Sequence, residues 1–215
     1  MIDVRMLTVG PVQENCYFVR RADADTAVVI DPGEEPERLL QAKDALGIET
    51  IAAILITHTH FDHVGAVKAL HDATGAPVYV PELEREILAN MDAYTPPGFG
   101  PFESYEADHT VTGGDTLELA GLTFDVRFTP GHSPGHVTYA VRGEGALLSG
   151  DVLFQGSVGR VDLPGGDWPT LLASIEALIG EFPPQTKVYP GHMGVTTLGD
   201  EQATNPFLRE LAQHQ

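Results

Sequence analysis

Apolar side chains fall in short runs at positions 4–9, 16–19 and 27–30, separated by Gly10-Pro11 and by the polar segment 20–25. Alternating or continuous runs of this length, bounded by turn residues, predict an antiparallel meander of three strands. Asp31-Pro32-Gly33 stops the third strand. Residues 35–46 then carry apolar side chains at helical spacing, with Gly47 placed to cap the end. An apolar run at 51–56 follows, which completes a first βαβ passage. A helix is expected from the turn after it to about residue 74, with Lys68 and His71 on its wet face. Gly75 ends that helix, a short strand covers 77–80, and Pro81 opens a further helix to residue 90, since proline fits the first helical position.

From residue 91 to 110 the periodicity disappears and Pro, Gly and Phe dominate. A loop this long in a compact chain is usually functional, and here it is expected to wall a substrate pocket. The second half resumes with strands at 116–119, 122–128, 137–141 and 146–148, punctuated by Gly113-Gly114 and the turn 142–145. A helix at 168–179, a strand at 187–189 and a last helix from about residue 206 close the chain. Two sheet-then-helix halves predict an α/β architecture of two stacked sheets covered outside by helices. The halves share no residue-level repeat, and a chain of 215 residues is expected to form one domain spanning 1–215.

Composition narrows the function. Hydrophobic residues make up 42% and charged residues 20% of the chain, which places it with ordinary globular proteins. The 31 acids against 12 Lys plus Arg give a net charge of −19, a field that repels nucleic acid and anionic lipid. An anionic small substrate stays open, because bound divalent cations make a cleft locally positive. Cys16 is the only cysteine, so no intrachain disulfide forms, and its apolar strand context predicts a buried, inert thiol. No basic leader with an apolar core begins the chain and no apolar run reaches membrane-spanning length. A cytoplasmic protein without membrane contact is expected. Oligomeric state is left open.

The chemistry concentrates after the run at 51–56. Residues 58–63 read His-Thr-His-Phe-Asp-His, three histidines and an acid at a strand-to-helix turn, where open α/β proteins keep their ligands. Side chains two apart on an extended strand point the same way, so His58 and His60 can approach one atom together. Asp62 and His63 enter the first helical turn, where the helix dipole favours a carboxylate. Three later residues share one context, the turn directly after a predicted strand: His132, Asp151 and His192. Glycine precedes each, which lets the backbone approach closely and aim the side chain. Five histidines and two aspartates gathered in one buried place would be costly without cations, and imidazole with carboxylate suits a metal.

The order His58-x-His60-x-Asp62-His63, then His132, Asp151 and His192, resembles the metallo-β-lactamase superfamily, and the match spans nearly the whole chain. The resemblance implies an αββα sandwich of two mixed β-sheets flanked by helices, with a two-metal site at the sheet edge. By position, His58, His60 and His132 would hold one metal and Asp62, His63 and His192 the other, with Asp151 bridging. His71, His109, His136 and His214 match no ligand position and are expected beyond the ligands or on the surface. Residues 156–168 and 204–208 resemble the glyoxalase II group, hydrolases of S-acylglutathione thioesters, in its short bacterial form. Arg160 matches a basic position near the substrate's glycine carboxylate in that group. Two departures bear on glutathione: Gly194 stands where that group has Tyr, and the chain ends soon after Arg209, without the basic helical extension that grips glutathione.

The reading that follows is a binuclear thioester hydrolase acting on a small-molecule thioester. Two divalent metals, zinc first with iron or manganese as alternatives, would hold a hydroxide that attacks the acyl carbon. Asp62 and Asp151 would be the catalytic carboxylates that fix the metals and orient the water. A persulfide dioxygenase, with one iron on His58, His132 and Asp151, is the competing enzyme; a lactonase is a third. Lactamases with this first motif carry Cys or His where Asp151 stands, and flavodiiron relatives carry Glu where His60 stands. Nucleic-acid-cutting relatives have extra domains and basic surfaces. A non-catalytic binding module is the reading from another class, weakened by the completeness of the ligand set.

Overall fold

The computed structural model describes residues 1–208. In chain order the elements are β1 (Ile2–Val9), β2 (Glu14–Arg21), β3 (Thr26–Ile30), α1 (Pro36–Ala45), β4 (Thr50–Leu55), α2 (Phe61–Val64), α3 (Val67–Thr74), β5 (Val78–Pro81), α4 (Arg85–Ala89), α5 (Met91–Tyr94) and β6 (His109–Val111). The second half adds β7 (Thr116–Leu119), β8 (Leu122–Phe128), β9 (Val137–Val141), β10 (Ala146–Gly150), the small hairpin β11 (Leu153–Phe154) and β12 (Ser157–Val158), α6 (Trp168–Glu181), β13 (Lys187–Pro190), β14 (Thr196–Thr197) and α7 (Leu198–Thr204).

Two six-stranded sheets result, ordered β1-β2-β3-β4-β5-β6 and β14-β13-β10-β9-β8-β7. Both are mixed: β1 to β3 are antiparallel while β3 to β6 run parallel, and β7 to β10 are antiparallel while β10 and β13 run parallel. Strand periodicity explains the layering. Along β2, Tyr17 and Val19 point into the core between the sheets, and Cys16 and Phe18 point out to the layer under α1 and α3. Val28, Ile30 and Leu55 of the first sheet meet Phe124, Val126, Tyr139 and Leu148 of the second. Leu39, Val67, Leu70 and Leu88 cover the outer face of the first sheet. Leu171, Ile175 and Leu178 of α6 cover that of the second. The fold is the αββα sandwich expected from the sequence.

Five local expectations need correction. The helix expected to run unbroken to residue 74 is split into α2 and α3, because the Ala66 amide turns to the Pro32 carbonyl (3.0 Å). The break falls at Gly65, where a Cβ would lie 2.7 Å from the Phe102 ring, so only glycine lets the loop pack there. Pro81 ends β5, paired with Val111. The helix expected from it begins with a 3₁₀ turn, Glu82–Glu84, before α4. His71 is half-buried, with Nδ1 donating to the Ala76 carbonyl (2.9 Å). The segment 91–110 contains α5 and the start of β6 within an otherwise irregular path. The expected last helix appears as one 3₁₀ turn at Pro206–Leu208, and its remainder lies outside the described residues. Among the described residues no helix is long and apolar enough to cross a membrane.

The ends that matter lie at one edge. β3, β4, β8, β10 and β13 all deliver their C-terminal ends there, and β2 begins there. Phe124 is fully buried between the sheets, in the core that joins them. Its replacement, Phe124→Ala, is expected to cost about 3–5 kcal/mol, read from the shift of the urea-unfolding midpoint.

Candidate metal centre

Each strand end contributes one turn. His58 and His60 leave β4, Asp62 and His63 open α2, His132 follows β8, Asp151 follows β10 and His192 follows β13. The glycines that precede the last three do what their position suggested. A Cβ on Gly191 would collide with the Asp151 carboxylate and lie 2.6 Å from the His63 ring, and one on Gly150 would lie 2.7 Å from His136 Nε2.

All seven side chains meet. His132 Nε2 lies 2.8 Å from His60 Nδ1 and 3.2 Å from His58 Nε2. On the other side His192 Nε2 lies 3.3 Å from Asp62 Oδ2, and His63 Nε2 lies 3.8 Å from the same oxygen. Asp151 stands between: Oδ1 is 3.4 Å from His63 Nε2, and Oδ2 is 3.5 Å from both His132 Nε2 and His192 Nε2. The ligand atoms of His58, His60 and His132 lie within 4.8 Å of one another, as do those of Asp62, His63 and His192. A third set, Asp31, His58 and His63, shares that property and bridges the two groups from below.

Four histidines are anchored through Nδ1, which leaves Nε2 facing inward. His132 Nδ1 donates to the Arg160 carbonyl (2.8 Å), His192 Nδ1 to the Gln13 carbonyl (3.2 Å), His63 Nδ1 to Asp31 Oδ2 (3.1 Å) and His58 Nδ1 to Thr57 Oγ1 (3.1 Å). Thr57 in turn donates to Asp31 (2.6 Å). An imidazole fixed at one nitrogen by a carbonyl or carboxylate is the usual support of a metal ligand. The inward atoms lack protein partners that suit them: His63 Nε2 and Asp151 Oδ1 are buried with no hydrogen bond. Three imidazole nitrogens converge near His132, and no arrangement of their protons satisfies all three. Divalent cations fit this donor set.

The electrostatics agree. Burial, then the His63 charge, holds His58 well below the usual imidazole range. Burial, then His132, lowers His60 to about 4. Both stay neutral, with a lone pair free, far into acid. Burial would raise the Asp151 carboxyl, but the facing His63 charge outweighs it and keeps Asp151 ionised. Asp62 is lowered against its burial by His63 and His192. In the other direction, burial lowers His63 and His192, yet the facing Asp151 and Asp62 carboxylates raise both above the usual value.

Several functional contacts had no clear mark in the sequence. Asp31, read only as a strand stop, is buried and accepts from Thr57 N (2.7 Å), Thr57 Oγ1 and His63. Its place at the end of the strand beside β4 was the available clue. His136, expected beyond the ligands, is buried there: Asp151 N donates to its Nε2 (3.0 Å), and its Nδ1 meets Thr129 Oγ1 (3.0 Å). Asn15 Nδ2 donates to the carbonyls of Pro190 (3.1 Å) and Met193 (2.8 Å), and Tyr17 donates to Pro190 (2.6 Å), so β2 clamps the turn carrying His192. Arg160 places its guanidinium on Asp162 (2.6 and 2.7 Å) at the exposed rim, while its carbonyl orients His132. Cys16 is buried, as expected, and burial pushes its thiol up.

Two outcomes follow. Cations must displace protons from His63 and His192, so metal affinity should rise with pH through their raised pKa values and level off above them. Calorimetry in buffers of different ionisation enthalpy should register proton release near pH 7, and pH-independent binding without release would contradict this. Asn15→Ala removes two hydrogen bonds that hold the His192 turn, leaving Tyr17 alone on Pro190, and should cost about 1–3 kcal/mol in chemical denaturation.

Comparison with known proteins places the chain. A family model described as Metallo-beta-lactamase superfamily matches residues 9–192. The probable metallo-hydrolase YqgX of Bacillus subtilis is 40% identical over 209 residues, covering 95% of this chain and 96% of that protein. The hydroxyacylglutathione hydrolase GloC of Haemophilus influenzae is 34% identical, covering 96% and 98%. Among solved structures, the BLEG-1 B3 metallo-beta-lactamase superposes with a TM-score of 0.90 at 42% identity, covering 96% of this chain and 99% of that one. TTHA1623, crystallised in a di-iron-bound form, gives 0.80 at 43% identity, covering 95% and 100%. The chain therefore belongs to the metallo-β-lactamase superfamily, and that family with its convergent histidine and aspartate groups supports a metal-dependent hydrolase.

Proposed function

We propose that the chain is a binuclear thioester hydrolase of glyoxalase II type, cleaving S-acylglutathione or a closely related thioester. The observation that carries the reading is the Asp151 carboxylate, set between two three-residue groups with its oxygens 3.4–3.5 Å from His63, His132 and His192. One group, His58, His60 and His132, would hold one divalent cation, and Asp62, His63 and His192 the other, with Asp151 shared. When bound, such cations lower the pKa of water to about 7 in favourable zinc sites and polarise a carbonyl oxygen. The 34% identity to a hydroxyacylglutathione hydrolase and the resemblance of residues 156–168 to that group support the thioester.

The chain's own residues supply the rest. Asp62 and Asp151, both held ionised, provide the negative charge that retains cations and accept hydrogen bonds from a water beside them, orienting it toward the acyl carbon. Cys16 is sealed in the core, and Ser133 and Ser149 are buried and hydrogen-bonded, so none of these three competes as nucleophile. The loop 91–110 supports a pocket wall, since Phe99 and Phe102 lie 4.5 and 5.9 Å from Phe61, the residue between His60 and Asp62. Phe154 lies 5.8 Å from His192 on the opposite side. These rings shed water from the cleft and suit the apolar part of an acyl group. Arg160, at the rim, is the basic side chain that would meet a substrate carboxylate, after leaving Asp162.

Purified chain should hydrolyse S-lactoylglutathione or acyl-CoA in a panel that also holds a lactone, a β-lactam and glutathione persulfide. Oxygen uptake with the persulfide and no thioester cleavage would contradict the proposal. Asp151→Asn should lower turnover by more than about a hundredfold, the upper end of the cost of losing even an outer partner of a metal site, with the circular dichroism spectrum retained. Unchanged turnover would remove Asp151 from its role.

A further inference from the structure

Glu84 is 1% exposed and closes the 3₁₀ turn after β5. Among the described residues no arginine, lysine or histidine forms an ion pair with it. A buried carboxylate without a counter-ion is expensive unless donors saturate it, and Glu84 has four. Oε2 accepts from Thr59 Oγ1 (2.6 Å) and Thr59 N (3.2 Å). Oε1 accepts from Ser133 Oγ (2.7 Å) and Gly135 N (2.8 Å). The approach is so close that a Cβ on Gly135 would lie 2.6 Å from Glu84 Cγ.

The identity of those donors matters. Thr59 lies between His58 and His60, and Ser133 directly follows His132. One carboxylate therefore bolts together, from behind, the two turns whose imidazoles converge to 2.8 and 3.2 Å. The other group of side chains is tied by different means, His63 through Asp31 and the His192 turn through Asn15 and Tyr17.

We infer that Glu84 is a positioning residue that fixes the spacing between the His58–His60 turn and the His132 turn, and so sets the affinity of that half of the site for a divalent cation. This rests on the reading of those histidines as metal ligands. Glutamine at this position keeps the shape, removes the charge and turns an amide N–H₂ against two of the four donors. The other half of the site keeps its supports.

The test is calorimetric titration of the metal-stripped full chain with Zn²⁺, for wild type, Glu84→Gln, Ser133→Ala and Leu39→Ala. Leu39 is fully buried on the inner face of α1 and takes no part in the site's hydrogen bonds, so its variant reports the effect of lost stability alone. Glu84→Gln is expected to weaken one of two binding steps about 10–100-fold, as removal of outer-shell support does, and to leave the other step as in wild type. Ser133→Ala, which deletes one donor, should weaken the same step less and carries the test if the Gln variant does not fold. Leu39→Ala should lower the melting temperature and leave both steps unchanged. A Glu84→Gln variant that binds both ions as wild type does, or weakens both steps equally, overturns the inference. A wild-type chain that takes up no zinc overturns instead the metal-site reading on which it rests.

Discussion

Ionised carboxylates and imidazoles are pressed together at one buried edge of two sheets, with their reactive atoms turned toward each other. Asp151 Oδ1 and His63 Nε2 are the extreme case, buried and without a hydrogen bond. Desolvating such groups costs several kcal/mol apiece unless something compensates. The compensation within the chain is partial: His63 and His192 rise in pKa against the carboxylates that face them. The remainder of the arrangement makes sense only as a site whose stability is completed by cations.

Holding seven such side chains against their own repulsion requires a frame that does not yield. Strand ends provide it, because each strand is locked by its ladder and by core side chains on both faces. β2 shows how far this goes: Tyr17 and Val19 pack between the sheets, Cys16 and Phe18 pack outward, and Asn15 at the same strand's start grips the His192 turn. Behind these side chains, Asp31 and Thr57 fix the His63 and His58 rings at Nδ1, His136 accepts from the Asp151 amide, and Glu84 holds Thr59 and Ser133.

Most of the convergent set of side chains was legible in the chain, because its signals are local. His58 and His60 are two apart at a strand end, and His132, Asp151 and His192 each follow a glycine at the next strand ends. The sandwich was legible from the same periodicities. What stayed hidden depends on contacts distant in sequence. The break between α2 and α3 comes from the Pro32 carbonyl meeting the Ala66 amide and from Phe102 against Gly65, neither of which the helical spacing of 64–70 can register. Glu84 reads in the chain as one acid among 31, and its role is visible only once Thr59 and Ser133 are brought to it. The missed helix α7 is a different case: Thr197 accepting from the Asp200 amide (3.1 Å) is a capping signal that was present in the sequence. Reaction choice within the superfamily rests on rim residues such as Arg160 and Gly194, which no ladder or core position constrains.

The central claim is that two groups of ligands, sharing Asp151, hold two divalent cations. Anomalous X-ray scattering from a crystal of the metal-loaded chain tests it directly, since it counts the ions and places each one. Two peaks, one ligated by His58, His60 and His132 and the other by Asp62, His63 and His192, are the predicted result. A single peak ligated by His58, His132 and Asp151, with Asp62 and His192 left free, would contradict the account.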